Sequence, residues 1–450
     1  MKHFDLNLKI EKSPSVIFRT IKDVPMVIDY RTGNIIEFDE KEVFIWEHLP
    51  NRVSKILNDL PSKYKNSKKI AETLDFLSRL NNKHLISTKD ERRRNLSVRE
   101  VSAAELKVRE KIRDLGMQEC IPTIAEIELS DQCNLKCVHC YNTTGKGKRP
   151  LKTKEIKHII DELHTIGTVL LIFSGGEAFL RKDFAELIEY AYKKDFLISI
   201  LTNGTLIGNR EIKMLKKFRI VSIQVSIYSH IPAIHDSITN SKGSFAKSME
   251  IVKQLINNKI NVVIATPLMK INFPEYEGIR KMAKSIGVRH RYSWRIWERN
   301  NGSTDVHALR LSKEEIHRYL SEDLSRNIYS PRAKEELICG AGINTCTISS
   351  QGDLFPCTIL NKKIGNLLRQ RLDVLWNASV YLNKLRKLRI RNLKKCAKCP
   401  SLAYCRVCLG LNWRATRSLL RPAKISCDYA FCSRKAVENS ERMIKQAGAV

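Results

Sequence analysis

Three cysteines, Cys133, Cys137 and Cys140, fall on one short stretch at a spacing of C-x3-C-x2-C. They follow the apolar alternating run Ile124 to Leu129, which places three thiolates on a tight loop at the end of an expected strand. Three soft ligands from one loop suit an iron–sulfur cube, because each thiolate holds one iron and the fourth iron keeps no protein ligand. An open iron can bind a substrate. The competing chemistry is a zinc site, but zinc ordinarily completes four protein ligands from two C-x2-C or His-bearing halves.

A second group of cysteines begins at Cys339. It runs Cys339, Cys346, then Gly352-Asp353-Leu354-Phe355-Pro356-Cys357, then Cys396, Cys399, Cys405 and Cys408, and finally Cys427 and Cys432. Two four-iron clusters with four thiolates each need eight ligands, and these nine cysteines suffice with one to spare. Taken alone, Cys396 to Cys408 also reads as a zinc knuckle. Cys120 and Cys432 read as small buried thiols. Thirteen cysteines in a chain expected to be cytoplasmic are metal ligands more readily than disulfides, since that compartment keeps thiols reduced.

The elements that must position these thiols follow from patterning. The length of 450 residues, with 43% hydrophobic and 28% charged content, suits a globular chain of about three domains. No signal-peptide core and no long uncharged apolar stretch is found, so neither secretion nor a membrane is expected. From Thr123 to about Ser293, candidate strands at 124–129, 169–173, 197–202, 221–226, 261–266 and 288–293 alternate with helical patterns. This implies a parallel α/β sheet covered by crossover helices. Residues 1–88 carry short β-type runs, a Thr32-Gly33-Asn34 turn and an Asp39/Glu42 capping signal, and read as a separate small unit with one sheet of about three strands and three helices. Residues 89–118, opening with Glu91-Arg92-Arg93-Arg94, read as a charged linker and connecting helix. The barrel-like region then spans 119–330 and the cysteine-rich region 331–450.

The net charge of +31 is uneven. Residues 1–90 carry 16 basic and 13 acidic side chains, whereas 331–450 carry 23 and 7. Anionic clusters balance only part of this excess, which predicts an acidic partner or a basic solvated surface. The strip Lys384 to Arg391, mixing basic with apolar residues, reads equally as a peptide-facing strip or a solvated helix face. Nucleic acid is not expected at residues 1–88, because duplex binding rests on phosphate neutralisation and this segment is nearly neutral.

With His139 before its last cysteine, and with Ser174-Gly175-Gly176-Glu177 one βα unit later, the C-x3-C-x2-C stretch resembles the signature of the radical S-adenosylmethionine (SAM) enzymes. In that family the open iron is chelated by the amino and carboxylate groups of SAM, and an electron from the cluster cleaves SAM to a 5′-deoxyadenosyl radical. The resemblance implies a partial (β/α)6 barrel with chemistry at the carboxyl ends of its strands. It implies SAM contacts at His139, along Ser174, Gly175, Gly176 and Glu177, and at Asn203 and Ser226. Tyr228 and Thr239 depart from it, standing where many relatives carry an acidic residue and an arginine.

The later cysteines resemble the SPASM extension of radical SAM peptide maturases, with x2 before Cys408 where the family has x3. That resemblance assigns Cys339, Cys346, Cys357 and Cys408 to one auxiliary [4Fe–4S] cluster, and Cys396, Cys399, Cys405 and Cys427 to another. Residues 1–88 look like the winged-helix precursor-peptide recognition element of such enzymes, whose relatives bind a leader peptide by strand addition. The chain is thus expected to be a radical SAM enzyme that modifies a ribosomally made precursor peptide, forming a thioether or a carbon–carbon crosslink. An external one-electron reductant such as flavodoxin or ferredoxin is expected. A radical SAM enzyme acting on RNA, or a non-catalytic metal-cluster scaffold, is the competing expectation.

Overall fold

The computed structural model describes the chain apart from residues 1–5, 14–15, 31, 89–97, 143–148, 219, 323–328 and 448–450; side chains of 88, 98–105 and 443–447 are not described. The Glu91 to Arg94 run therefore lies outside the described residues.

The first region carries β1 (Lys9–Lys12), β2 (Val16–Ile21), β3 (Val24–Asp29), β4 (Asn34–Glu37), α1 (Glu40–Glu47), β5 (Asn51–Arg52), α2 (Val53–Asp59), α3 (Ser67–Asn82) and β6 (Ile86–Thr88). Asp39 and Glu42 form the expected capping box at α1. The single expected sheet is instead two antiparallel ones, ordered β2-β3-β4 and β5-β1-β6. The second sheet joins Ile10 to Thr88, a pairing between distant segments that no local pattern signals.

The meander buries both faces, which corrects the expectation of a separate unit. Val16 and Val27 join Trp46 and Phe76 beneath α1–α3. Ile17, Ile21, Met26 and Ile28 instead pack with Val108 and Ile112 of α4 (Val98–Glu119) and with Leu170, Leu197 and Val221 of the next region. Arg19, 1% exposed, donates to the carbonyl of Asp195 at 2.9 Å. Alternation along β2 thus sends one row of side chains to each of two cores.

The next region runs β7 (Ile124–Glu128), α5 (Thr153–Thr165), β8 (Leu170–Ser174), α6 (Phe184–Lys193), β9 (Leu197–Thr202), α7 (Asn209–Leu215), β10 (Ile220–Ser226), α8 (Pro232–Thr239), α9 (Ser244–Asn257), β11 (Val262–Pro267), α10 (Tyr276–Ser285) and β12 (Arg289–Ser293). The six strands lie parallel in sequence order. They form the expected partial barrel, closed at its amino end by α4 and the meander. One row of β7 and β8 side chains, Ala125, Ile127, Leu171 and Phe173, joins the main core with Ile156, Ile159 and Ile160 of α5. The alternate row at the carboxyl end is polar: Glu126, Glu128 and Ser174.

After α11 (Lys313–Ser321), the cysteine-rich region contributes β13 (Thr345–Ile348), β14 (Asp353–Phe355), β15 (Gly365–Asn366), α12 (Leu372–Ala378), α13 (Val380–Arg386), α14 (Leu409–Thr416) and α15 (Lys424–Ala447). Strand β13 pairs in parallel with β7, and β14 and β15 follow antiparallel, so one nine-stranded sheet spans both regions. No helix of the described residues is long and apolar enough to cross a membrane.

Candidate active site

The loop bearing Cys133, Cys137 and Cys140 leaves the carboxyl end of β7 and is pinned from two sides. The N–H groups of Lys136 and Val138 donate to the carbonyls of Thr239 and Ile238 at 3.2 and 2.9 Å, so the end of α8 backs the loop. From beyond β12, Arg299 donates to the carbonyl of Cys140 at 2.6 Å and to that of Val138 at 2.9 Å. Asp305 holds the guanidinium at 2.9 Å, and this contact keeps its carboxyl well below the usual range. Sequence reading missed Arg299, which lies in an irregular stretch with no pattern of its own.

Burial raises all three thiols, Cys137 to about 12. Their charges act on one another, and every cysteine is a free thiol. Buried thiols with raised values become thiolates when a metal replaces their protons. Three such thiols on one loop are therefore a donor set that fits an iron–sulfur cube. Among the described residues no three Cys, His, Asp or Glu side chains converge tightly enough to hold a single ion; a cube spreads its ligands, one per iron.

The other expected contacts fall into two classes. His139 stands on the cysteine loop itself, Asn203 lies against it, and Ser226 is linked to it through Tyr228. The His139 ring stands 4.8 Å from Tyr228 in an edge contact, its Nδ1 is buried without a partner, and burial with Arg299 lowers it to about 4, so it is neutral at pH 7. Asn203 Nδ2 faces Asn134 Oδ1 at 2.9 Å and Cys133 Sγ at 3.7 Å. Ser226 hydrogen-bonds Tyr228, whose hydroxyl is 3.8 Å from Cys137 Sγ.

Ser174 to Glu177 form the second class, held by the protein itself. Gly176 and Glu177 donate their N–H groups to the carbonyls of Ser130 and Gln132 at 2.6 and 2.8 Å. A Cβ on Gly175, at φ 118°, would lie 2.5 Å from the Ser130 carbonyl oxygen, and one on Gly176 would lie 2.0 Å from that of Gln132. Glycine is thus required by the chain's own close approach. The Glu177 side chain turns inward at 1% exposure. It accepts from Thr202 Oγ1, Asn203 N–H and Phe179 N–H at 2.7, 2.8 and 3.2 Å, bolting the end of β8 to that of β9. Ser174 Oγ donates to Glu126 at 2.6 Å.

The second cysteine group divides into three and four. Cys339, Cys357 and Cys408 act on one another, and burial raises Cys339 to about 11 and Cys357 to about 12. Cys346, expected among the ligands, is not among the thiols that act on them. It lies on β13 opposite Ala125, 2% exposed in the main apolar core, and burial is the sole influence on its thiol. Strand alternation sends its side chain to the core. Cys396, Cys399, Cys405 and Cys427 act on one another, Cys405 raised to about 12 chiefly by burial, while Cys399 and Cys427 are exposed. Cys432 donates to the carbonyl of Lys313 at 3.4 Å between α15 and α11.

A cavity of about 430 Å³ opens between the first cysteine loop and β13–β14, lined by Glu128, Asp131, Tyr141, Gln351, Cys357 and Arg414. Tyr141, next to Cys140, donates to Glu128 at 3.0 Å. Burial, reinforced by Glu126, raises Glu128 to about 7, so a carboxyl able to hold or release a proton near neutrality faces the cavity. The sequence does carry a signal for it: Glu126 and Glu128 alternate with buried apolar residues on β7. A larger cavity of about 730 Å³, lined by Arg19, Cys120, His164, Trp376 and Arg386 among others, touches none of the clustered thiols.

Residues 127–283 match the model of the radical SAM superfamily, and residues 339–400 that of the SPASM iron–sulfur cluster-binding domain. The chain is 28% identical over 311 residues to the antilisterial bacteriocin subtilosin biosynthesis protein AlbA of Bacillus subtilis, covering 65% of this chain and 68% of that one. It is also 28% identical to an AdoMet-dependent heme synthase of Methanosarcina barkeri, over 65% of this chain and 92% of the relative. In fold it is similar to Streptococcus suis SuiB in a crystal structure with the precursor peptide SuiA, at a TM-score of 0.60 and 16% identity, covering 93% of this chain and 99% of SuiB.

Proposed function

We propose that this chain, a radical SAM enzyme carrying a SPASM domain, matures a ribosomally made precursor peptide and forms a thioether in it. The observation that carries this reading is the cavity itself. One wall adjoins the loop of Cys133, Cys137 and Cys140, and the opposite wall includes Cys357 of the three-thiol group. Cys339, Cys357 and Cys408 would leave one position of an auxiliary cluster open to a sulfur from the substrate. Cys396, Cys399, Cys405 and Cys427 would hold the other auxiliary cluster.

When bound, SAM and the clusters supply hydrogen-atom abstraction and one-electron transfer. The chain's residues do the rest. Arg299 and α8 hold the cysteine loop, while Asn203 and Ser226 border the position for SAM, as the resemblance implies. Glu128 holds a proton at its carboxyl beside Tyr141. The leader would add to β4, which pairs only with β3 among the described residues, so its outer edge is available for a further strand.

The test is anaerobic incubation of the reconstituted protein with SAM, dithionite and a synthetic peptide encoded beside the gene, bearing an acidic leader and a cysteine-containing core. Thioether formation appears as loss of two hydrogens from the peptide, with its cysteine no longer alkylated, together with 5′-deoxyadenosine. A peptide left unchanged while an iron tetrapyrrole is converted would replace this reading with one drawn from the heme-synthase relatives.

A further inference from the structure

The four-thiol group is the exposed one. Cys399 and Cys427 are exposed, whereas Cys339 and Cys357 are half-buried. Around it the chain is one-sided in charge: from Val374 to Cys427 there are 13 lysines and arginines and no aspartate or glutamate. Several of these cations stand within three residues of a thiol of the group. Lys394, Lys395 and Lys398 flank Cys396 and Cys399, Arg406 follows Cys405, and Lys424 precedes Cys427; all five are exposed. Lys424 pairs with Asp428 at 3.3 Å. The other four are neither in a described salt bridge nor neutralised by a nearby carboxylate in sequence. Four exposed cations beside one group, with no carboxylate between Val374 and Cys427, exceed what a single cluster of four thiolates requires for balance. Such a patch attracts and orients an acidic protein surface.

We propose that this face, centred on Cys399 and Cys427 and carrying Lys394, Lys395, Lys398 and Arg406, is the docking surface for an acidic one-electron carrier protein. The inference rests on the assignment of Cys396, Cys399, Cys405 and Cys427 to a cluster. The exchange makes and breaks no bond. The carrier's reduced flavin or iron–sulfur centre would be oxidised by one electron, and a cluster held by Cys396, Cys399, Cys405 and Cys427 would be reduced by it. The competing occupant, RNA, shares the attraction to basic charge but offers no redox centre.

The probe is an acidic bacterial flavodoxin, titrated anaerobically against the iron-loaded protein by calorimetry at 50 and 300 mM salt. Binding is expected, at least tenfold weaker at the higher salt. The variant Lys395→Glu/Lys398→Glu/Arg406→Glu is expected to weaken it at least tenfold while keeping the parent iron content. Lys213→Glu/Lys217→Glu/Lys253→Glu, an equal reversal on α7, the turn after it and α9, is expected to leave it unchanged. Equal loss in both variants, or none in the first, overturns the proposal, as does patch-dependent binding of tRNA without binding of flavodoxin. Dithionite-driven 5′-deoxyadenosine production separates the two readings. If it is present without flavodoxin binding, the docking surface fails and the enzyme assignment stands; if it is absent, the enzyme assignment fails.

Discussion

Cys346 and Cys357 show how two cysteines of one region can differ in role. Cys346 is packed among apolar side chains on β13, while Cys357 reaches the cavity with Cys339 and Cys408 beside it. Cys357→Ala is expected to lower iron content by about four atoms per chain. Cys346→Ala is expected to leave iron unchanged and to cost about 1–3 kcal/mol in urea unfolding, as small cavities in cores do. Glu128 gives a prediction in pH. Its carboxyl is raised from 4.5 to about 7 in the fold. The unfolded chain therefore ionises first, so the stabilisation from the neutral form is complete below about pH 4.5 and lost by about pH 7. The difference is about 3 kcal/mol. Glu128→Gln is expected to flatten that decline, read as urea midpoints of cluster-free protein at pH 5 and 7.5. The spacing of the first three cysteines was legible because one loop carries them all. The burial of Cys346 in the core was not, because whether a strand residue faces core or cavity depends on its partner strand.

At the scale of elements, the six barrel strands were legible to within a residue at each end, since the first five carry their own apolar runs between helical patterns and the sixth, Arg289–Ser293, follows the helix before it at the same spacing. The pairing of β1 with β6 and of β13 with β7 was not, because it joins segments distant in sequence. The same limit hid the fastenings of the site. Glu177 ties the end of β8 to that of β9 through its two hydrogen bonds from Thr202 and Asn203, and the resemblance placed only its motif's backbone at the cofactor. Glu177→Ala would strand the buried Thr202 and Asn203 donors and is expected to cost about 2–4 kcal/mol, read by chemical denaturation. Arg299→Ala removes both donors to the carbonyls of Val138 and Cys140. Its expected effect is faster loss of iron to a chelator from the first cluster, with iron bound by the later cysteines retained.

Across the whole molecule, residues 1–88 share a core with α4 and the foot of the barrel. A chain beginning at residue 89 would expose Val108, Ile112, Leu170 and Leu197 to water. Burial of such side chains is worth about 1.5–3 kcal/mol each. Truncation is thus expected to lower the thermal midpoint of the remainder, and the full chain is expected to melt without a separate early transition for residues 1–88. The composition hinted at three domains, but shared cores join them. The junction of β13 with β7 extends this to inheritance. A recombination event that exchanged the cysteine-rich end for another would have to carry a strand able to hydrogen-bond the first barrel strand in register, or it would leave a bare sheet edge beside the catalytic loop. Tail and barrel are therefore expected to change together through descent, with compensating substitutions along that one strand-to-strand seam.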